Sequence, residues 1–450
     1  MFDLVTIGGG FSGLTTACRA AELGLKAAVL ERRGEERYPC SSRWSTGVFG
    51  VMQISLMNAP DVLIEAFTTG TGGTCKAELV EAVARNARRA KEWLEEQGAS
   101  FTVEGSLERS QHVLAPPRRF DVPGLDWEGR GADTLMRRME ANLVTRGGEV
   151  LRGTKVEALI VEGGRCVGVS ARRGGAAMRI EAANTVIADG GFAANPEMIR
   201  RHIVPRPERV LARVGPEAKG DGIRMAEAAG AAIGGFGEFY GHVHHRDAMT
   251  NASLWPYPHF DALAMASMVV GPDGRRFGDE GLGGVYLANR IARLPDPLSA
   301  VIVFDDAIWS GAPGHAGPVP CNGTLYEGGG SLLSAPDLDE LARRAGLPAA
   351  ALAETVRAHN AAAQGHKLPI AQPPFHAAPL CAGITGTMGG VVIDAHARAL
   401  RPDFTVFPGL YAVGTPVAGL EGGPHAGYAG GLCKAFVLGL LAAEHMAQAR

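Results

Sequence analysis

The chain opens with the run Leu4-Val5-Thr6-Ile7-Gly8-Gly9-Gly10-Phe11-Ser12-Gly13. Its apolar half predicts a buried strand, and the glycines that follow have the spacing G-x-G-x-x-G. In such a turn Gly8 permits the sharp bend, Gly10 lets the backbone approach a pyrophosphate, and Gly13 lets the next helix pack on the strand. That helix, predicted over 14–23, would offer free N–H groups and the positive end of its dipole to an anion.

A second apolar strand, predicted over 26–30, ends at Glu31, which lies 23 positions after Gly8. A carboxylate at this place can accept hydrogen bonds from both hydroxyls of an adenosine ribose. The complete pattern therefore predicts a dinucleotide site for an unphosphorylated ribose, which means FAD or NAD rather than NADP. Arg32 is either a further contact to ribose or phosphate, or part of a solvated turn.

The composition excludes several kinds of protein. At 450 residues, 46% of them hydrophobic, the chain is expected to form two or three domains with a sizeable core. Its net charge of −3 does not indicate a nucleic-acid partner, and no apolar run reaches the length of a membrane span. The first residues lack the basic start of a signal peptide. Seven cysteines without a C-x-x-C pair indicate reduced thiols in a cytoplasmic protein, and no metal site is expected.

Hydrophobic periodicity predicts the remaining framework. Helices are predicted over 76–97, 133–146 and 432–446, a β-hairpin over 155–161 and 166–171, and strands over 184–188 and 409–414. Histidines, aromatic residues and prolines crowd residues 235–260, and the pattern changes again near 373. We therefore predict a discontinuous dinucleotide-binding domain, 1–227 plus 373–450. A second domain, 228–372, is inserted within it and closes over the carboxyl edge of its sheet.

Nine segments, in order along nearly the whole chain, resemble the flavoproteins related to fumarate reductase and succinate dehydrogenase. That group includes soluble fumarate reductases, 3-ketosteroid dehydrogenases and tricarballylate dehydrogenase. The segments are the N-terminal glycines with Glu31, 42–47, 93–94 with Gly98, 186–192 with 195–196, 220–222, 274–277 with 279–280, 304–305, 387–390 and 409–414.

The resemblance implies an α/β fold with a Rossmann-like FAD-binding domain of the glutathione-reductase type and an inserted α+β capping domain. It implies FAD as the cofactor. Some relatives attach FAD covalently through a histidine in the segment that matches 42–47, and none is present here, so noncovalent FAD is expected. It also implies hydride transfer between flavin N5 and a small unsaturated or carbonyl-bearing substrate, which reduces or introduces a C=C bond beside a carbonyl or carboxylate. The direction of the reaction and the electron donor or acceptor stay open.

The glycine pattern and the resemblance together assign residues to the cofactor. In the first half of the chain these are Gly8, Gly10, Phe11, Ser12, Gly13, Glu31, Arg32, Ser42, Arg43, Ser45, Thr46, Gly47, Val156, Asp189, Gly190 and Gly191. Near the C-terminus they are Gly414, Thr415, Gly430, Gly431 and Leu432. A helix N-terminus at the last three would stabilise negative charge on reduced flavin.

Several positions depart from the pattern of the relatives. Asp189 stands where many have threonine, and Thr415 where many have glutamate. Gly284 stands at the place of the arginine that acts as the acid in soluble fumarate reductases, and Gly386 at that of a histidine. His425 takes the place of an arginine before the last helix. These departures argue against plain fumarate reduction, and the substrate need not be a dicarboxylate.

Two candidates for catalysis lie near the C-terminus. His425, in a glycine-rich approach to the flavin edge, would clamp a carbonyl or carboxylate or move a proton near neutral pH. The alternative is a loop histidine bonded to the backbone. Tyr428 has a similar position.

Two further candidates lie in the inserted domain. Tyr286, two residues beyond Gly284, is either a phenolic acid or a core tyrosine. His259 ends the rigid run 255–259, which forms either a pocket wall or ordinary packing. The histidines at 242, 244 and 245 cluster as ligands do, but no acid stands at matching spacing, so a metal is not expected.

Two other functions remain open at this point. The first keeps the flavin but oxidises an alcohol or amine, with His425 as the base. The second is a non-catalytic flavin-binding subunit that transfers electrons.

Overall fold

The computed structural model describes residues 1–122 and 124–449. In chain order the strands are β1 (Phe2–Ile7), β2 (Ala27–Glu31), β3 (Gly50–Val51), β4 (Ile54–Ser55), β5 (Phe101–Thr102), β6 (Val113–Leu114), β7 (Glu149–Arg152), β8 (Thr154–Glu162), β9 (Arg165–Arg173), β10 (Ala176–Ile187), β11 (Leu211–Ala212), β12 (Ile233–Gly234), β13 (Phe239–His245), β14 (Met268–Val270), β15 (Val301–Asp305), β16 (Leu333–Ala335), β17 (Phe375–Thr387), β18 (Gly390–Val391), β19 (Arg398–Leu400) and β20 (Val406–Ala412).

The helices connect these strands and cover both sheets. They are α1 (Phe11–Glu22), α2 (Ser41–Trp44), α3 (Pro60–Gly70), α4 (Ala77–Glu96), α5 (Gly131–Thr145), α6 (Pro196–His202), α7 (Asp221–Ala229), α8 (Asp261–Ala266), α9 (Gly284–Ala292), α10 (Asp306–Ser310), α11 (Thr324–Glu327), α12 (Leu338–Ala345), α13 (Ala349–Ala361) and α14 (Gly431–Gln448). Within the described chain, every helix is too short or too polar to cross a bilayer.

The first sheet has a parallel core in the order β20-β10-β1-β2-β7. β19 adds an antiparallel edge, and β8 and β9 extend from β10 as an antiparallel ribbon. β1 lies inside the sheet and its last four residues are buried, as expected for a parallel strand covered on both faces. This sheet confirms the predicted Rossmann-like α/β fold. Since its core strands are parallel, their carboxyl ends meet at one edge.

Helices α1 and α14 pack closely on each other beside the first sheet. The ring of Phe11 lies 4.9 Å from that of Phe436 between centroids. Farther along, Gly439 lies against Thr15, and a Cβ at position 439 would stand 2.8 Å from Thr15 Cγ2. The crossing therefore depends on a residue without a side chain in α14.

The second sheet is arranged around β17. This strand pairs in parallel with β11 and antiparallel with β13, β15 and β16, and β14 pairs with β15. A second hydrophobic core, drawn from residues 192–384, packs on this sheet. The sheet and its helices form the predicted α+β capping unit.

The strands of the second sheet come from outside the predicted insertion as well as from within it. β11 precedes position 228 and β17 follows position 372, whereas Ala226 and Ala231 pack in the first core. The described chain therefore passes between the two cores four times, near 188–192, 223–226, 231–239 and 384–391. The division at 228 and 372 stays a prediction, and the strand pairing supports a wider capping unit.

Most of the elements predicted from hydrophobic periodicity are present. The helices predicted over 14–23, 76–97, 133–146 and 432–446 correspond to α1, α4, α5 and α14, and the predicted hairpin is β8–β9. The strand predicted over 184–188 is the end of β10, which begins at Ala176 and first pairs with β9. In its first half Met178 and Ile180 alternate with Arg179 and Glu181, a pattern that the prediction did not use.

The α1–α14 contact yields a stability test. Gly439→Val places a branched side chain against Thr15, and such overpacking costs about 1–3 kcal/mol. We expect a melting temperature lower by several degrees in scanning calorimetry. Gln448→Val, at an exposed position of the same helix, is the control and should melt with the wild type. Equal melting of Gly439→Val and the control would contradict the close contact.

Candidate functional site

A cavity lies at the carboxyl edge of the first sheet, where the two sheets meet; we call it the central cavity. It is lined by Ile7, Gly8, Gly9, Gly10, Ser12, Leu30, Glu31, Arg32, Pro39, Cys40, Ser41, Ser42, Thr154, Val156, Ala188, Asp189, Gly190, Gly191, Ala193, Val214, Gly215, Glu217, Ala218, Asp221, Met225, Thr385, Gly386, Thr387 and Thr415. Loops that follow β1, β2, β10 and β20 meet the end of β17 here. Ligands of open α/β sheets bind at this edge.

The glycine turn after β1 forms one end of the central cavity. Gly8 has a φ of 105°, which a residue with a side chain rarely adopts. A Cβ at Gly13 would overlap the carbonyl oxygen of Gly8, so α1 begins directly against the turn. The N–H of Phe11 donates to Ser42 Oγ (2.9 Å), while its ring is buried against Phe436. Phe11 therefore contributes to this end through its backbone.

Glu31 stands at the end of β2 in the wall of the cavity. Its Oε2 accepts a hydrogen bond from the N–H of Gly9 (2.9 Å), and its Oε1 accepts one from the N–H of Arg33 (2.8 Å). Burial raises the pKa of this carboxyl above its usual value. Each carboxylate oxygen keeps a further lone pair, which a ribose hydroxyl can use.

The guanidinium of Arg32 is already paired. It bonds to Glu217 (3.0 Å) and to Asp221, so its charge is neutralised by two carboxylates. Arg32 lines the cavity, but its side chain holds the loop before α7 against β2. This pairing corrects the expectation that the guanidinium is free for a ribose or phosphate.

Asp189 lines the cavity and has one unpaired oxygen in the described chain. Its Oδ2 accepts a hydrogen bond from the N–H of Gly222 (2.7 Å), but its buried Oδ1 has no partner among the described residues. Oδ1 lies against Gly222, where a Cβ would overlap it. Burial, with a contribution from the nearby Asp221 carboxylate, raises the pKa of Asp189 to about 6.

The segment 42–47 is divided between the cavity and the core. Ser42 lines the cavity, whereas Arg43 is fully buried and pairs with Asp133 (3.0 Å) behind it. Ser45 donates through Oγ to the carbonyl of Ser42 (2.8 Å). Neither Ser45, Thr46 nor Gly47 lines the cavity, and Gly47 packs on Leu114. The expected cofactor contact of the Arg43 side chain is corrected to support of the Ser42 loop, while those of Ser45, Thr46 and Gly47 stay predictions.

The opposite end of the cavity is closed by the C-terminal glycines and by β17. Gly414 has a φ of 80° and no room for a Cβ beside Ser12 Oγ, and Thr415 lines the cavity. α14 begins at Gly431, whose N–H donates to Tyr428 Oη (2.7 Å). Gly430 and Leu432 flank this helix start but lie outside the lining.

The loop before α14 is held by a buried acid. Glu421 Oε1 accepts a hydrogen bond from the N–H of Ala429 (3.0 Å), and Oε2 pairs with the buried ammonium of Lys434. Breaking such a buried pair leaves an uncompensated charge, so the loop is strongly fixed. This arrangement positions Tyr428 at the helix start.

Six aromatic side chains gather beside this end of the cavity; we call them the ring cluster. They are Tyr240, His242, His244, Tyr257, His259 and Tyr428. Tyr240, His242 and His244 alternate along β13 and so share one face of the second sheet. Tyr240 stacks on Tyr428 with 3.8 Å between centroids, and His242 stacks on His259 with 4.5 Å.

Two arginines border the ring cluster. Arg213 donates to Thr385 Oγ1 (2.8 Å) in the cavity wall, and its guanidinium lies 5.4 Å from the centre of the Tyr257 ring. Arg118 is buried and lies 5.6 Å from the same ring. In the described part of the chain neither guanidinium has a carboxylate within ion-pair distance. A ligand with negative charge would supply the missing partner.

The chain was compared with known families and structures. The family model FAD_binding_2, described as FAD binding domain, matches residues 3–431.

The chain belongs to the FAD_binding_2 family.

Two curated relatives are larger enzymes. NADH:fumarate oxidoreductase of Klebsiella pneumoniae (strain 342) is 24% identical over 469 aligned positions, which cover 99% of this chain and 48% of the relative. NADH:acrylate oxidoreductase of Vibrio harveyi is 28% identical over 398 positions, which cover 82% of this chain and 36% of the relative. The chain thus spans less than half the length of these two proteins.

A solved structure shares the fold over almost its whole length. It is 3-ketosteroid-Δ4-(5α)-dehydrogenase from Rhodococcus jostii RHA1 in complex with 4-androstene-3,17-dione. The TM-score is 0.77 at 20% sequence identity, and the match covers 99% of this chain and 96% of that chain. At this identity the likeness shows the fold.

The central cavity fits FAD in its donors and acceptors. The glycine turn and the start of α1 can receive the pyrophosphate, and Glu31 can receive the adenosine ribose. Val156, Gly190 and Gly191 line the wall between these groups. In this FAD-binding domain the flavin end would then lie near Thr385, Thr387 and Thr415, next to the ring cluster.

Two of the predicted catalytic residues lie apart from the FAD cavity. His425 is exposed and its Nδ1 bonds to the carbonyl of Thr69 (3.0 Å), so it is a loop histidine bonded to the backbone. Tyr286 packs against Gly278 in the capping unit and lies outside both the cavity and the ring cluster. The catalytic expectations for His425 and Tyr286 are therefore corrected, while His259 and Tyr428 belong to the ring cluster.

The expectation of no metal rested on the lack of an acid near the histidines. Asp261 supplies that acid from the start of α8, and its carboxylate, His242 and His259 bring ligand atoms within 4.8 Å of one another. His242 Nδ1 is bonded to Asp261 Oδ2 at 2.6 Å. The arrangement is a hydrogen-bonded histidine–aspartate pair, and sequence reasoning missed it.

Arg213 and Tyr240 were also missed. Tyr240, His242 and His244 stand at every second position, and this spacing indicates a strand with polar aromatic side chains on one face. That pattern could have pointed to Tyr240. Arg213 carries no such signal, because its position depends on β11 pairing with β17 far along the chain.

The glycine turn yields a test of FAD binding. Gly13→Ala forces α1 away from the Gly8 carbonyl, and we expect FAD affinity to fall roughly ten- to hundredfold. Reconstitution of the flavin-free protein, followed by flavin fluorescence, measures this. Gly34→Ala is the control, since its Cβ meets nothing within 4 Å. An unchanged affinity in Gly13→Ala would contradict the assignment of the turn.

Asp189 yields a pH test. The pKa of Asp189 is about 6 in the folded chain, which is above that of an aspartate in the unfolded chain. As pH rises above about 4, the unfolded chain therefore loses this proton at a lower pH than the folded chain does. Wild-type stability therefore declines through pH 6 relative to Asp189→Asn, which still accepts from Gly222. We expect the difference in melting temperature, Asp189→Asn minus wild type, to increase as pH rises from 4.5 to 7.5 in the flavin-free protein. Asp61→Asn, at an exposed position, should show no such trend.

Proposed function

We propose that the protein is an FAD-dependent oxidoreductase that reduces or introduces a C=C bond adjacent to a carbonyl or carboxylate. The observation that carries this proposal is the Arg213–Thr385 contact, which joins the ring cluster to the flavin end of the cavity. A substrate held there would lie between the flavin and groups that bind an oxygen anion or move a proton.

The bound cofactor supplies two-electron chemistry as a hydride accepted or given at flavin N5. The protein must then hold the substrate carbon near that atom and stabilise charge on the activating group. Arg213 is suited to the second task, because part of its guanidinium is free beyond the bonds to Thr385 and the carbonyl of Pro256 (3.2 Å). Arg118 adds positive charge nearby, which supports an anionic or strongly polarised substrate.

The stacked tyrosines close the site on the other side. Burial raises the pKa of Tyr240 to about 12 and that of Tyr428 well above its ordinary value, so both keep their protons and act as neutral hydrogen-bond groups. Their rings exclude water from the reacting carbons. Because water is excluded, the positive charge of Arg213 acts more strongly on the substrate.

We further propose that FAD is held noncovalently. In the described lining no histidine is present, and Cys40 is the cysteine that lines the cavity. Burial raises the pKa of the Cys40 thiol to about 11, so it is a poor nucleophile toward the flavin.

The cysteines are all free, which supports the cytoplasm as the place of action.

The relatives support the class of reaction rather than a substrate. Two carry the names of a fumarate and an acrylate oxidoreductase, and the structural neighbour that of a steroid dehydrogenase. These names share a carbon–carbon bond next to a carboxylate or ketone.

The test uses the holoenzyme under anaerobic conditions. The flavin is reduced photochemically and its absorbance is followed while fumarate, acrylate, other enoates and cyclohex-2-enone are added. We expect one class to reoxidise it rapidly, and Arg213→Gln to slow that reaction roughly 100-fold through loss of an anion-stabilising donor. Arg206→Gln, which loses a surface bond to the carbonyl of Pro295, is the matched control.

Failure of every enoate and enone to reoxidise the flavin, together with failure of saturated acids and ketones to bleach the oxidised flavin, would overturn the proposal. The oxidised enzyme would then be offered alcohols and amines, and bleaching of the flavin by one of them would establish the alternative dehydrogenase. A flavin that no small molecule reduces or reoxidises would point to an electron-transfer subunit.

A further inference from the structure

Gly284 makes room for a carboxylate in the capping unit. It lies at the first position of α9, and a Cβ there would overlap the carboxyl group of Asp261. The relatives that the sequence resembles carry an arginine acid at this position. Here the space of that side chain is occupied by Asp261, which turns toward β13.

Asp261 is hydrogen-bonded to two consecutive residues of β13. Its Oδ2 bonds to His242 Nδ1 at 2.6 Å, and its Oδ1 accepts from the N–H of Val243 at 2.9 Å. The backbone bond fixes the carboxylate, and the carboxylate fixes the tautomer and ring orientation of His242. His242 Nε2 is left without a hydrogen bond to the described residues. The ring is also stacked on His259 at 4.5 Å, so its plane cannot rotate freely.

The neighbours of His242 place it toward the flavin end. Its ring lies 5.2 Å from that of Tyr240, which itself stacks on Tyr428 at the start of α14. The ionisable groups around it come from several elements. They are Tyr240, His244, Tyr257, His259, Asp261, Arg109, Arg213 and Tyr428.

We propose that His242 is the group that exchanges a proton with the substrate carbon, and that Asp261 is its positioning residue. This inference rests on the proposed function. It identifies the proton donor of that site, for which sequence analysis offered His425 and Tyr286.

The other histidines of the ring cluster and Tyr428 are less suited to this task. Burial lowers the pKa of His259 to about 3 and that of His244 well below its usual value, so both stay neutral. Tyr428 Oη is engaged by the N–H of Gly431. His242 is hydrogen-bonded to the Asp261 carboxylate at 2.6 Å, whereas His259 Nδ1 lies 3.7 Å from the same oxygen. The neighbouring imidazoles keep the pKa of Asp261 below its usual range, so that carboxylate stays ionised.

The proton and the electrons balance in both directions. When a C=C bond forms, the C–H beside the activating group gives its proton to His242 Nε2. The other carbon loses hydrogen with its electron pair, as hydride to bound FAD, and His242 then releases its proton to solvent. In reduction the carbon gains hydride from reduced FAD, and protonated His242 supplies the proton through Nε2.

The chain contains its own control pair on the same strand. His245 ends β13 and its Nδ1 lies 3.5 Å from Asp247 Oδ2, outside the ring cluster. His245→Gln and Asp247→Asn therefore match His242→Gln and Asp261→Asn. In Asp261→Asn the amide oxygen can still accept from Val243, so the fold of the loop is kept while the charge is removed.

Four variants are measured with the reoxidising compound found for the wild type. We expect His242→Gln to slow flavin reoxidation at least roughly 100-fold, as loss of a general acid does. Asp261→Asn should slow it roughly tenfold and move the pH–rate inflection to lower pH, because the protonated imidazole loses its counterion. The control variants should stay within twofold, and flavin content should be equal in all.

A second readout does not need a substrate. In protein labelled with 15N-histidine, the ring nitrogens of His242 should change tautomer and titrate at lower pH in Asp261→Asn, but not in Asp247→Asn. Absence of this change, even with correct folding, would overturn the role of Asp261.

The outcomes separate the two proposals. If the wild type is reoxidised and His242→Gln is equally fast with the same pH profile, the proton role of His242 is wrong and the proposed function stands. If no enoate or enone reoxidises the wild type and no saturated acid or ketone reduces it, the proposed function fails, and the proton role fails with it even where the NMR coupling of the pair is intact.

Discussion

The backbone pairing of β17 is the constraint on which the site depends. This thirteen-residue strand carries β11, β13, β15 and β16 of the second sheet and ends in the wall of the FAD cavity. Thr387 Oγ1 also accepts a hydrogen bond from the N–H of Phe192 (3.1 Å), which ties the strand to the loop after β10. A register shift of one residue between β13 and β17 would turn Tyr240 and His242 to the opposite face. The cavity wall and the ring cluster are therefore aligned by one ladder of backbone hydrogen bonds.

The cofactor half of the site could be predicted because its signals are local. The turn at Gly8 and Gly13, the helix after it and the acid at the end of β2 lie within thirty-one residues, and each has a fixed stereochemical role. The same spacing could not reveal that Arg32 is neutralised by Glu217 and Asp221. Nor could it show that Arg43 is buried on Asp133. These carboxylates lie far along the chain, and a pattern read over short windows cannot place them.

The ring cluster was not predicted, for a related reason. The resemblance points to His425 and Tyr286, which stand near positions that matter in relatives. The ring cluster is assembled by pairing of distant strands and by the empty position at Gly284. Gly386 adds a second empty position opposite Tyr240 in the ladder, and a Cβ there would meet nothing within 4 Å. Where side chains expected from the relatives are missing, neighbours from other elements determine the chemistry.

The path of the chain between the two cores has a consequence for modularity. Of the four connecting segments of the described chain, those at 188–192, 223–226 and 384–391 contribute to the wall of the FAD cavity. A capping unit joined in this way cannot be excised or exchanged as a cassette, because the cuts needed to remove it would pass through that wall. New substrate ranges on this scaffold are therefore accessible by substitution on β13, α8 and the loop after β11, but not by shuffling whole domains.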